Sequence, residues 1–132
     1  MTKEEHQEQF VKAFIRKEKR ERYISFLLSS KRRLEIIERL VHCDDFDDRF
    51  TERIPDGEQS DKQILQRLRS LGAPEKCFVI SENSEIDGQF MLLSSALDSI
   101  IGFGQGSVLS CIPGCLGYYE SEEASERYVL HR

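Results

Sequence analysis

The chain has 132 residues, enough for one domain with a single core that needs no metal or disulfide staple. It is 39% hydrophobic, 33% charged and 9% aromatic with no tryptophan, which excludes collagen-like and fully disordered chains; no apolar run, 90–93 included, approaches the roughly 20 residues of a membrane-spanning helix. The net charge of −5 hides a split, because residues 1–43 carry 11 basic against 7 acidic side chains (+4) and residues 44–132 carry 8 against 17 (−9). One domain over 1–132 is therefore expected, with a basic helical arm at 1–43 and an acidic α+β body at 44–132.

Residues 1–43 lack both proline and glycine and are rich in Glu, Lys, Arg and Leu, which predicts helix. Phe10, Phe14, Ile24 and Leu28 share one face of an ideal helix, but Lys17 and Glu21 fall on that face within seven consecutive charged residues at 16–22. No apolar stripe runs through that stretch, so its centre is expected in solvent or at an interface. Ile24, Leu27, Leu28, Leu34, Ile37 and Val41 recur at three- and four-residue steps, and Ser29-Ser30 predicts a break into two helices with Ser30 as the second cap.

Residues 43–59 read as an acidic connector with a Pro-Asp-Gly turn and a short helix carrying Phe46, Phe50 and Ile54. The next helix is sharply bounded. Ser60 and Gln63 form a capping box, Ile64, Leu65, Leu68 and Leu71 form the stripe, and Gly72 and Pro74 end it. Strands are predicted at 77–80, 107–112, 115–120 and 126–131, with a helix at 93–101 between the first two. The fold class is thus α+β: N-terminal helices packed on a small, mainly antiparallel sheet of about four strands with one inserted helix. In the last hairpin, setting Glu120 against Glu126 places Tyr118 opposite Tyr128 and Leu116 opposite Leu130 on one face, and Cys115 opposite His131 on the other.

Several short patterns could carry chemistry. Cys111 and Cys115 flank Ile-Pro-Gly; a two-residue turn at Pro113-Gly114 sends their thiols to opposite faces, which forbids a disulfide. Cys115 beside His131 is the weak catalytic candidate, since an imidazole next to a thiol generates thiolate, but no third residue orients the pair. Gly102, Gly104 and Gly106 are a candidate ligand loop, although they follow a helix and precede a strand, the reverse of a phosphate-binding turn. The cationic run holds binding candidates Arg16, Lys17, Lys19 and Arg20, continued by Arg22, Lys31, Arg32 and Arg33, with Glu18 to Arg22 as a helical ion pair.

Asp44-Asp45-Phe46-Asp47-Asp48 resembles the DDxxD motif with which prenyl-diphosphate synthases hold Mg²⁺ on a diphosphate. The resemblance covers five residues, and that family is all-helical and more than twice this length. A solvated turn whose aspartates cap a short helix and sit at its positive end is the simpler expectation. The His and Cys residues form no pair of close ligand dyads, so no metal and no cofactor is expected.

Four cysteines behind a polar N-terminal segment without leader character suggest reduced thiols and a cytoplasmic location. The charge split favours a small protein-binding or regulatory protein (adaptor, inhibitor or immunity-like) without evident catalytic machinery. Its expected partner is another protein or a second copy, with no membrane. A small thiol-dependent enzyme or ligand-binding domain using Cys115, His131 and the 102–106 loop is the alternative. Nucleic-acid binding through 16–33 is the third reading.

Overall fold

The computed structural model describes residues 2–42, 44–123 and 126–132. Cys43 and the Ala124-Ser125 step of the last turn lie outside the described residues. Among the described residues are five α-helices: α1 (Lys3–Phe14), α2 (Arg20–Leu27), α3 (Arg33–Leu40), α4 (Asp61–Ser70) and α5 (Leu93–Ile100). Six strands form one antiparallel sheet: β1 (Thr51–Arg53), β2 (Lys76–Ser81), β3 (Phe90–Leu92), β4 (Ser107–Ile112), β5 (Leu116–Glu120) and β6 (Arg127–His131). Their order across the sheet is β1-β6-β5-β4-β2-β3. The α+β class expected from the sequence is the one observed, with six strands in place of about four. The two additional strands are the sheet edges, and at three residues each they are too short to carry an alternation pattern.

The sheet is covered on both faces. Phe78 and Ile80 of β2, Val108 of β4, Tyr119 of β5 and Leu130 of β6 join one core with Phe10, Phe14, Tyr23 and Ile37 of α1–α3. The alternate residues Cys77, Val79, Leu109, Tyr118 and Val129 join a second core with Ile64 and Leu68 of α4 and Leu97 and Ile100 of α5. A strand buried on both faces reads as a continuous apolar run, which is why 77–80 lacks alternation.

The N-terminal third holds three helices rather than two. Thr2 and Glu5 form a capping box at the start of α1. The helix ends where Ile15 turns extended and bridges to Phe46. Arg16 N then donates to Asp45 O at 2.8 Å and Asp47 N to Phe14 O at 2.8 Å. The charged run therefore lies on a bend, a 3-10 turn at Lys17–Lys19 leading into α2. That bend removes the expected Glu18–Arg22 helical step; Glu18 instead meets Arg16 at 4.0 Å. The break after α2 falls near Ser29-Ser30 as expected, but α3 starts behind Arg32 with no side-chain cap, so Ser30 does not cap it.

Between α3 and α4 the connector forms a 3-10 turn at Asp48–Phe50, then β1, then a second 3-10 turn at Asp56–Glu58. The Ser60–Gln63 capping box of α4 is formed in both directions, and Gly72 leaves the helix at φ 100°. The inserted helix α5 ends one residue earlier than expected.

The last two hairpins differ from the expected registers. Ile112 pairs with Leu116, and Cys115 N donates to Ile112 O at 2.9 Å. The loop is thus three residues long, not two. Pro113 and Gly114 (φ 72°) fill the middle of that turn, the residues a type II turn favours there, and the extra residue appears as a bulge between Ser110 and Ile112. In the β5–β6 pair, Glu120 faces Arg127, Tyr119 faces Tyr128 and Leu116 faces His131, one residue away from the expected alignment. The shift replaces a like-charge pair with an ion pair, Arg127 Nε to Glu120 Oε1 at 3.1 Å. It also places Gly117 opposite Leu130, where a Cβ on Gly117 would lie 2.8 Å from Leu109 O.

Candidate functional site

The candidate thiol pair is not assembled. The observed register sets Cys115 beside Arg132, whose N–H donates to Cys115 O at 2.9 Å, while His131 faces Leu116. His131 opens into a groove of about 500 Å³ between β1, β6 and α4, together with Arg67 and Ser70. Cys115 is exposed at the hairpin tip and is not among the residues lining that groove. The groove's own cations are spoken for: Arg67 pairs with Glu52, and Arg49 holds Asp47 at 2.7 Å. Cys77 and Cys111 are buried thiols; burial pushes Cys77 up to about 12 and Cys111 higher still. Neither is a nucleophile at neutral pH.

The glycine loop turns its amides inward to the protein's own carboxylates. Gly102 N donates to Glu120 Oε2 at 3.1 Å, and Gly106 N donates to Glu82 Oε1 at 2.8 Å. An external anion would have to displace two resident ones. Gly106 is required by packing, since a Cβ there would lie 2.1 Å from Val41 Cγ1 and 2.9 Å from its Cα. Gly102 and Gly104 adopt φ values of 84° and 69°, a backbone that favours glycine. Together with Glu120, Glu122, Glu123 and Arg127 they border a cavity of about 130 Å³.

Behind that cavity sits a polar cluster that pattern reading missed. Tyr118 Oη donates to Glu120 Oε1 at 2.7 Å, and Arg127 closes the other side. Burial raises the Glu120 carboxyl above the ordinary carboxylate range, against the lowering pull of Tyr118, Arg127 and the Gly102 amide. The only sequence signal was Glu120 and Arg127 at mirrored strand ends. A register that sets Glu120 against Glu126 hides it, because the two partners then lie one residue apart.

The aspartate-rich turn is a structural knot. Buried Asp45 accepts from the Tyr23 hydroxyl and from Arg39 Nε at 3.2 Å. Burial pushes its carboxyl up, but the Tyr23 and Arg39 bonds outweigh that and hold it below the usual range. Asp47 caps the following turn through Arg49 N at 3.1 Å, and hydrogen bonds from Arg49 bring its carboxyl down to about 2. Of the aspartates only Asp47 caps a turn; Asp45 is buried on Tyr23 and Arg39, so the segment is not the solvated capping turn expected. Among the described residues, no cluster of three or more His, Cys, Asp or Glu is arranged to hold a metal ion.

The cationic residues divide into two sets. Arg16 bonds to Asp44 O and lies 3.9 Å from Asp45; Arg20 Nε donates to Ile15 O at 2.9 Å; Arg33 clasps Asp87. Those three hold the fold. Lys17, Lys19, Arg22, Lys31 and Arg32 form no ion pair among the described residues. Two of them are aligned by one ring: the guanidinium carbons of Arg22 and Arg32 lie 5.1 and 5.0 Å from the centroid of Phe26. In the same hairpin Leu28 and Leu34 are 40% and 59% exposed. The α2–α3 hairpin thus presents unpaired positive charge, an aromatic ring and bare aliphatic surface together.

No helix of the described residues is long and apolar enough to cross a membrane. A three-layer protein with an antiparallel sheet between two helical layers is the class these observations define. Compared with protein families, with curated proteins and with solved structures, the chain matches none.

Proposed function

We propose that the protein is a binding module that docks an acidic surface of another protein on its α2–α3 hairpin. The observation that supports this reading most is the Arg22–Phe26–Arg32 stack, on a hairpin that also exposes Leu28 and Leu34. Unpaired cations steer an acidic partner into encounter, and the aliphatic side chains add dry contact area once it arrives. The stack contributes a second effect. Two arginines held against a ring lose less side-chain freedom on binding than two free ones, so more of each contact is kept as affinity. Glu21 and Glu35 are also exposed on these helices, which favours a protein surface of mixed charge over a uniform polyanion such as nucleic acid.

The test is capture from lysate at low salt by the immobilised protein, compared with a Lys17→Glu, Lys31→Glu, Arg32→Glu variant. A nuclease-resistant protein partner that elutes at high salt and is lost with the variant is the expected result. Capture that survives the three substitutions, or that vanishes on nuclease treatment, contradicts the reading. The thiol and glycine-loop alternative has less support, because Cys115 and His131 are apart and the loop amides are occupied.

A further inference from the structure

Two arginines border the groove between β1, β6 and α4, and their ion pairs are unequal. Asp47, which holds Arg49, has a side chain only 11% exposed and also caps its own turn, so that pair is built into the fold. Glu52, which holds Arg67, lies on the three-residue edge strand β1 with a side chain 70% exposed, against 29% for Arg67. Arg67 Nη2 donates to Glu52 Oε1, and among the described residues the guanidinium makes no other hydrogen bond. An exposed pair of this kind contributes little, because water screens it and long side chains lose freedom when held together. An arginine fixed at the groove wall is thus covered by a carboxylate that can swing into solvent. The groove volume of about 500 Å³ lies within the range of small-molecule sites. Phe50, Leu71 and Val129 give it apolar surface, and exposed His131 borders it with no side-chain partner among the described residues. The end of α4 also borders it, but the Arg67 carbonyl there already accepts from Leu71 N at 3.3 Å and Ser70 Oγ at 2.7 Å. The full charge of the Arg67 guanidinium exceeds the roughly half charge of a helix C-terminus.

We propose that this groove binds a small carboxylic acid with an apolar body, whose carboxylate takes the place of Glu52 on Arg67. Glu52 marks the chemistry, since its carboxylate is the group Arg67 already holds, and it acts as an internal stand-in that the ligand displaces. The ligand gains more there than Glu52 does. A free carboxylate can accept from two guanidinium nitrogens, whereas Glu52 accepts from one. Its apolar body also removes Phe50, Leu71 and Val129 surface from water, which the Glu52 side chain, turned to solvent, does not. His131, with its ring free of partners, is the second donor at the groove. Arg49 stays with Asp47, so one arginine is available and the site suits a single negative charge. The groove is separate from the docking hairpin, because α4 packs on the sheet face opposite α1–α3. An acidic peptide brings carboxylates without the apolar body that this site requires.

Cinnamate titrated into the labelled protein, followed by amide chemical shifts and compared with neutral cinnamamide, tests the proposal. Cinnamate is expected to saturate with a dissociation constant of about 5 mM, shifting β1, the end of α4 and residues 129–131. Cinnamamide, which lacks the charge, is expected to bind about tenfold more weakly or worse. Glu52→Gln removes the competing carboxylate and is expected to tighten cinnamate by about threefold. Arg67→Gln is expected to weaken it by about tenfold or more. A folding defect does not tighten binding, so Glu52→Gln decides the matter even if Arg67→Gln unfolds. The proposal is overturned by an absence of saturable shifts at the groove, by equal binding of cinnamate and cinnamamide, or by an unchanged affinity in Glu52→Gln. Lys17→Glu, Lys31→Glu, Arg32→Glu leaves the groove untouched and is expected to keep the wild-type affinity; loss of cinnamate binding in that variant would likewise contradict it.

Discussion

Arg33 grips Asp87 with two nitrogens, Nε to Oδ2 at 2.7 Å and Nη2 to Oδ1 at 2.9 Å, and so ties the start of α3 to the turn that leads into β3. Arg33 also donates to Leu27 O and Gln7, and Asp87 accepts from Ser81 N at 3.0 Å. Both side chains are 17% exposed, so the pair is largely withdrawn from water. It joins the helical layer that carries the proposed docking hairpin to the β2–β3 side of the sheet.

Removing that tie by Arg33→Ala strands a largely buried carboxylate and is expected to lower stability by about 2 kcal/mol, discounted from the fully buried case for the remaining exposure. Asp87→Asn, which keeps an oxygen for Ser81 N, is expected to cost less. Urea unfolding at neutral pH reads both values. Equal effects of the two substitutions would mean that the charge pair, which both remove, carries the whole contact, and that the Arg33 bonds to Leu27 and Gln7 add nothing.

The glycine loop separates close packing from backbone strain. Gly106→Ala drives a methyl into Val41, backbone included, and is expected to destabilise by about 3 kcal/mol or more. Gly102→Ala has open space around it and meets only the penalty of its positive φ, about 1 kcal/mol. Thermal unfolding of the two variants checks the order. Gly102→Ala as damaging as Gly106→Ala would contradict this account of the loop.

His6 predicts a pH dependence. Its ring is buried, stacked on Phe78 at 5.6 Å, with Nδ1 3.0 Å from Ser110 Oγ, and burial holds its pKa below the ordinary 6.5. The fold favours neutral imidazole, so this contribution is complete above the unfolded pKa and is lost as pH falls from 6.5 through the folded value. The melting temperature is expected to decline between pH 7 and 5, and the decline to flatten in His6→Gln. A stability that rises on acidification over this window would contradict the assignment.

Thiol accessibility is the next check. Iodoacetamide at pH 8 is expected to modify Cys115 in the folded protein at the rate of a simple exposed thiol. Cys77 and Cys111 are expected to react only after denaturation, as their burial and raised pKa values require. Mass spectrometry of the alkylated peptides reads all three. An accelerated Cys115 would revive the thiol-enzyme reading.

The elements that local chemistry specifies were legible. The Ser60–Gln63 box, the Gly72-Pro74 stop and the apolar run at 77–80 each encode their structure within a few residues. What escaped depends on partners distant in the chain. The β5–β6 register turned on Glu120, whose burial is made tolerable by Tyr118, Arg127 and the Gly102 amide, 18 residues away. The three-residue edges β1 and β3 carry no periodicity of their own and exist because β6 and β2 offer them a ladder. At the candidate site the cationic run was visible, but its division was not. Asp45 and Asp87 draw Arg16 and Arg33 into the fold, and Phe26 leaves Arg22 and Arg32 on display.

The most direct measurement of the central claim is an amide chemical-shift titration of the labelled protein with an acidic peptide of mixed charge, Glu-rich with interspersed Lys, repeated with a DNA duplex of equal net charge. The account predicts salt-sensitive shifts concentrated in α2, α3 and the turn at Lys17–Lys19, larger for the peptide than for the duplex, and absent after Lys17→Glu, Lys31→Glu, Arg32→Glu. Shifts centred on the groove beside His131 or on the glycine loop, or a duplex that binds more tightly than the peptide, would contradict it.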